Sequence, residues 1–169
     1  MFNHAPSNYS CPICLAVNGV ENEKTMIRQG DVFYRDDIVV GLISSKFIKN
    51  NPGHPLLVPI NHYENIYDIP ENVLAHISHV SKKVAVALKQ IRQCDGVTIL
   101  QNNEPAGDQH AFHYHLHILP RFIGDDIYVH IMNARVSNPD ERIQFAEELR
   151  RYFLLQKEKN VAQKKKIKG

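Results

Sequence analysis

His113-Tyr114-His115-Leu116-His117-Ile118-Leu119 sets three histidines at alternate positions with apolar residues between them. That alternation is the period of a β-strand. Side chains two apart leave the same face, about 6.6 Å apart along the strand. Tyr114, Leu116 and Ile118 can therefore enter a core and pin the register. The three imidazoles then share the opposite face. A row of titratable rings on regular backbone points to a metal site, a phosphate site or a histidine nucleophile.

The flanking segments define the class. Val32-Phe33-Tyr34-Arg35, the acidic pair Asp36-Asp37 and the run 38–44 read as a β-hairpin. Asn50-Asn51-Pro52-Gly53 is a loop, followed by a short apolar strand, Pro55-Leu56-Leu57-Val58-Pro59-Ile60. Val73, Ile77, Val80, Val84, Leu88 and Ile91 recur at spacings of three and four, which predicts a long helix over residues 70–93. Pro70 suits its first turn, and Gly96 lies just beyond its end. Val97-Thr98-Ile99-Leu100-Gln101 reads as a strand. Asn138-Pro139-Asp140-Glu141 opens a second helix with capping residues at suitable spacing. The order β-β-β-α-β-β-α predicts an α+β fold, an antiparallel sheet packed by the long helix.

The chain has 169 residues, enough for one domain with a substantial core. No apolar run approaches the roughly 18 residues of a membrane helix. The start, Met1-Phe2-Asn3-His4-Ala5-Pro6, lacks a secretory pattern, so a cytoplasmic protein without a membrane partner is expected. The formal charge is +2, but residues 157–169 contribute six lysines and one glutamate. The rest carries 14 basic and 17 acidic residues, so nucleic acid is not an expected partner. The domain is expected over 1–156, with a disordered basic tail over 157–169. Three cysteines, Cys11, Cys14 and Cys94, do not read as a disulfide framework. Cys11-Pro12-Ile13-Cys14 is half of a metal knuckle or a plain turn, and Cys94 reads as a small buried hydrophobe.

Neutral imidazole is a good zinc ligand, so the triad can hold a metal. No neighbouring Asp or Glu within the motif completes a catalytic metal site. A histidine nitrogen can instead attack phosphorus and form a covalent intermediate. A flanking imidazole can then neutralise phosphoryl oxygens and protonate the leaving group. Gln109 can donate a hydrogen bond to the same oxygens. This chemistry requires no catalytic metal.

The run from Gln109 through His113, His115 and His117 to Arg121 resembles the signature of the histidine triad (HIT) family, His-x-His-x-His followed by two apolar residues. Upstream, Gly53-His54-Pro55-Leu56-Leu57-Val58-Pro59-Ile60-Asn61-His62 is similar to the family's Gly-His, apolar strand, Pro, His segment. Cys11-Pro12-Ile13-Cys14 resembles the knuckle that opens many bacterial members. The likeness covers about residues 11–123. It implies a five-stranded antiparallel sheet with one long helix, to which the C-terminal helix adds, and a homodimer.

The resemblance also implies roles. His115 would attack the α-phosphorus of a nucleotide and form a nucleotidyl-histidine, which water resolves. His117 would contact the phosphate and assist the leaving group. Gln109 would bind a phosphate oxygen, Asn102 would lie near the nucleotide, and His54 would support the site. Cys11, Cys14, His62 and His113 would hold a structural zinc. Implied substrates are dinucleoside polyphosphates, nucleoside phosphoramidates and adenylated conjugates. Two departures stand out. Many members carry a ribose-binding acid where this chain reads Gly41-Leu42-Ile43-Ser44-Ser45. The loop Ala106-Gly107-Asp108-Gln109 has one extra residue, and His110 follows where Ser or Thr is common. These departures leave a non-catalytic nucleotide-binding or regulatory protein as the alternative.

Overall fold

Which strands lie inside is decided by their apolar content. The computed structural model describes residues 2–22 and 24–168, with side chains to residue 163. In chain order it contains helix α1 (Pro12–Val17), strands β1 (Val32–Arg35), β2 (Val39–Ile43), β3 (Lys46–Phe47) and β4 (Pro55–Pro59), and helix α2 (Glu71–Arg92). Strands β5 (Gly96–Gln101) and β6 (Leu116–Arg121), helix α3 (Ile127–His130), strand β7 (Arg135–Val136) and helix α4 (Pro139–Lys168) follow. Five strands form one antiparallel sheet in the order β1-β2-β4-β6-β5. This is the predicted α+β architecture. The wholly apolar β2 and β4 are buried on both faces, and half-buried β1 and β5 take the edges.

Alternation along the strands sorts the two faces. Val39, Ile43, Leu57, Leu116 and Ile118 pack with Val73, Ile77, Val80, Val84 and Leu88 of α2 and with Leu149 of α4. Val40, Leu42, Leu56 and Val58 point the other way, against Ile13, Ala16 and Val17 of α1 and against Ile27. His117 pairs across the sheet with Leu56, so its ring belongs to this second face. The histidines thus stand opposite the main core, as the period-two pattern predicts.

One expectation needs correction. The histidine strand begins only at Leu116, because the backbone bends at residues 111–113 and the Tyr114 N–H bonds the Tyr63 carbonyl outside the ladder. Tyr114 is nevertheless buried in the core. Helix α2 ends on Gln93, as the spacing predicts, in a left-handed conformation (φ 51°), and Gly96 beyond it opens β5. Helix α4 runs on past residue 156 to Lys168. Lysine, glutamate and glutamine are good helix formers, and α4 is already nucleated when it reaches them. The short ribbon of β3 with β7 has no sequence signal, being two residues on each side.

Two local features position the site. Gly53 adopts φ +66°, and a Cβ there would lie 2.3 Å from the Phe145 ring, so only glycine brings α4 this close to the residue before His54. Arg92 of α2 donates to the Pro52 and Gly53 carbonyls at 2.8 and 3.0 Å. One turn earlier on α4, Arg142 forms a fully buried ion pair with Asp31. Arg142 also donates to the carbonyls of Ser137 and Met26, both at 2.8 Å. Removing one partner strands a charge. Asp31→Ala is expected to lower unfolding free energy by about 3–5 kcal/mol in urea titrations. A loss below about 1 kcal/mol would show that the pair is not sequestered.

Candidate functional site

Cys11 and Cys14 are brought together by a six-residue helix. Pro12 occupies the first turn of α1, and the Cys11 sulfur accepts the Cys14 N–H at 3.3 Å. His113 and His62 approach from the far side. The Cys14 sulfur lies 3.3 Å from His62 Nδ1 and 3.4 Å from His113 Nδ1, and the Cys11 sulfur is 3.5 Å from His113 Nδ1. All four donor atoms lie within 4.8 Å of one another. A tetrahedral ion with bonds of about 2.0–2.3 Å needs donor separations of this order. His113 Nε2 donates to the Pro59 carbonyl at 3.0 Å. A carbonyl only accepts, so the proton sits on Nε2 and Nδ1 is bare toward the sulfurs. Burial, then the adjoining Cys11, pushes the Cys14 thiol up to about 12. Burial lowers His113 to about 4, keeping it neutral. The residues fit a metal of the zinc type.

His115 and His117 turn to a neighbouring cavity of about 370 Å³, whose walls include His54, Asn102, Ser44 and His110. His115 Nδ1 donates to the His113 carbonyl at 2.7 Å. The same argument leaves His115 Nε2 bare. Burial lowers its basicity further, so the ring is neutral and carries a free lone pair. His54 Nε2 and His117 Nδ1 are 3.1 Å apart, and His54 Nδ1 is buried without a partner among the described residues. A proton on that Nδ1 would be a stranded buried donor, which is the costlier arrangement. His54 therefore donates from Nε2 to His117 Nδ1, and His117 keeps its proton on Nε2. The two site rings present complementary atoms, a lone pair and an N–H, with their centroids 5.0 Å apart.

A sequence profile of the HIT domain matches residues 28–124. The chain belongs to the HIT family. An uncharacterised HIT-like protein of Saccharolobus solfataricus is 34% identical over 113 residues, 67% of this chain and 77% of that protein. An adenylylsulfatase of Arabidopsis thaliana is 30% identical over 88 residues, 52% of this chain and 44% of that enzyme. The crystal structure of a zinc-bound histidine triad family protein from Mycobacterium smegmatis superposes with a TM-score of 0.70 at 26% identity, covering 88% of this chain and 96% of the other.

Of the residues the sequence marks in this HIT protein, Cys11, Cys14, His62 and His113 gather in one cluster. His54, Asn102, His115 and His117 line the cavity. Asn102 donates to the Asp108 carbonyl at 3.2 Å, while Asn103 is turned away and engages Ile66 N and Gln101. Gln109, expected at a phosphate oxygen, is turned inward. It is buried outside the cavity wall. Its amide donates to the Glu64 and Ala111 carbonyls at 2.6 and 3.1 Å, and its oxygen accepts the Glu104 N–H at 2.8 Å. The loop it braces takes positive φ at Glu104 and Asp108. That turn brings His110 to the cavity instead, 3.5 Å from Asp108. Lys24, in the segment before β1, and Lys46, at the start of β3, also lie on the cavity wall, and no motif joins two residues so far apart in sequence.

Burial, with Arg92 and His115 nearby, depresses His54 to about 3. The unfolded chain binds a proton near pH 6.5 that the folded one refuses, so stability is full above pH 6.5 and declines as pH falls toward 3. Between pH 7 and pH 5 this one group costs about 2 kcal/mol. Urea unfolding at the two pH values should show the loss, and His54→Leu should flatten the dependence by that amount. An unchanged slope would contradict a buried neutral His54.

Proposed function

We propose that this HIT protein is a nucleotide hydrolase or transferase that cleaves at the α-phosphate through a nucleotidyl-histidine. One observation carries the reading: the His113 carbonyl fixes the His115 proton on Nδ1 and leaves Nε2 bare at the cavity. Nε2 attacks phosphorus, the N–P bond forms and the bond to the leaving group breaks. The departing atom takes the proton from His117 Nε2. Water then attacks the same phosphorus, returns a proton to His117 and releases a nucleoside monophosphate and free His115. Positive charge that develops on the His115 ring is met by the His113 carbonyl on Nδ1–H. His54 holds the His117 tautomer that donates. Dinucleoside polyphosphates, nucleoside phosphoramidates and adenylated conjugates all offer such a phosphorus.

Cys11, Cys14, His62 and His113 would hold zinc, which when bound braces the strand entry and takes no part in the chemistry. A cytoplasmic setting keeps both thiols reduced. Among the described residues no helix is long and apolar enough to cross a membrane. The half-exposed Ile99 on edge strand β5 suits the homodimer that the family likeness implies. Metal analysis of purified protein should give about one zinc per chain, lost in Cys14→Ser. Zinc-free folded wild type would contradict the assignment.

Diadenosine tetraphosphate and adenosine phosphoramidate test the chemistry. His115→Ala should lose roughly a thousandfold or more of the turnover, and His117→Gln roughly 10²–10⁴-fold. Equal turnover by wild type and His115→Ala would overturn the nucleophile. The inward-turned Gln109 and the wall without a carboxylate near Ser44 favour the second reading, a nucleotide-binding protein without turnover. That reading gives binding with no covalent nucleotidyl-protein by mass spectrometry.

A further inference from the structure

The cavity wall made by Ser44, Ser45 and Lys46 has donors and no carboxylate. Lys46 lies on β3, and its backbone N–H bonds Ser44 Oγ at 3.2 Å, which sets the turn that aims this segment. Lys46 and His117 line the same cavity. Lys24 lines the same cavity from the segment before β1. Among the described residues neither lysine forms an ion pair. Among the described residues Asp108 is the one acidic residue on the wall, and it faces His110.

An ammonium offers three donors and no acceptor. It therefore recognises an anion and gains nothing from a ribose hydroxyl's proton. The one phosphate that His115 attacks already has the His117 N–H beside it. The two lysines are cation in excess of that need.

We propose that Lys46, assisted by Lys24, binds a second phosphate group of the substrate. The inference rests on the nucleotide reading above and narrows it to nucleotides with more than one phosphate. Two sources present that chemistry. One is the next phosphate along a polyphosphate chain, and the other is a phosphate on a ribose hydroxyl. Lys46 lines the same cavity as His115 in either case. A charge-assisted hydrogen bond of this kind raises affinity about ten- to a hundredfold.

Calorimetric titration of the full chain with AMP, ADP and adenosine 3′,5′-bisphosphate tests this without turnover. Wild type should bind one bisphosphate at least about tenfold more tightly than AMP. A gain for ADP identifies the phosphate chain, and a gain for the 3′,5′-bisphosphate identifies the ribose phosphate. K46Q should bring the ratio to AMP near one, and K46R should keep it. The preference should also shrink between low and high salt. Neither bisphosphate exceeding AMP, or a preference that survives in K46Q, would overturn the role of Lys46 while leaving the nucleotide reading intact. No binding of any of the three would overturn the nucleotide reading itself.

Discussion

His113 uses every polar group it has, and the site depends on all of them. Its Nδ1 faces the two cysteine sulfurs, its Nε2–H is held by the Pro59 carbonyl, and its own carbonyl takes the proton of His115. One residue thereby ties the N-terminal segment to the sheet and sets the tautomer of its neighbour. The backbone bend that puts His113 ahead of the ladder makes this possible, because a residue inside the ladder would spend its carbonyl on another strand. The Cys/His cluster and the His115 ring are thus one mechanical unit.

The two faces of the sheet divide the remaining work. The face under α2 is apolar and close-packed, and it gives the strands a rigid register. The opposite face has an apolar floor beneath α1 and, beside it, the cavity with its imidazoles. Neutral histidines suit this arrangement. Burial lowers the basicity of His54, His113, His115 and His117 alike, so none carries a charge that would need a counterion. The cationic side chains stand on the outer wall, where an incoming phosphate meets them.

The fold was legible wherever the pattern is long. The apolar spacing of α2, the acidic turn between β1 and β2 and the buried run of β4 announce themselves by period and punctuation. The division of the histidines between two sites was legible through the family likeness, since alternation alone makes the three rings equivalent. Other features were not readable. The β3–β7 ribbon is too short to show a period. The inward turn of Gln109 follows from left-handed backbone at Glu104 and Asp108, residue types that carry no strong signal for it. Lys24 and Lys46 meet only through tertiary structure. Charge runs such as that at the end of the chain suggest solvation, while the same residues extend a helix once it is started, as in α4.

In the proposed reaction His115 Nε2, held bare by the His113 carbonyl, bonds to phosphorus before water does. The stereochemical course at phosphorus tests this most directly. A substrate with an isotopically chiral α-thiophosphate, hydrolysed in labelled water, should give product with retained configuration, the sum of two in-line displacements. Net inversion would mean that water attacks in a single step, and the account of His115 as nucleophile would be wrong.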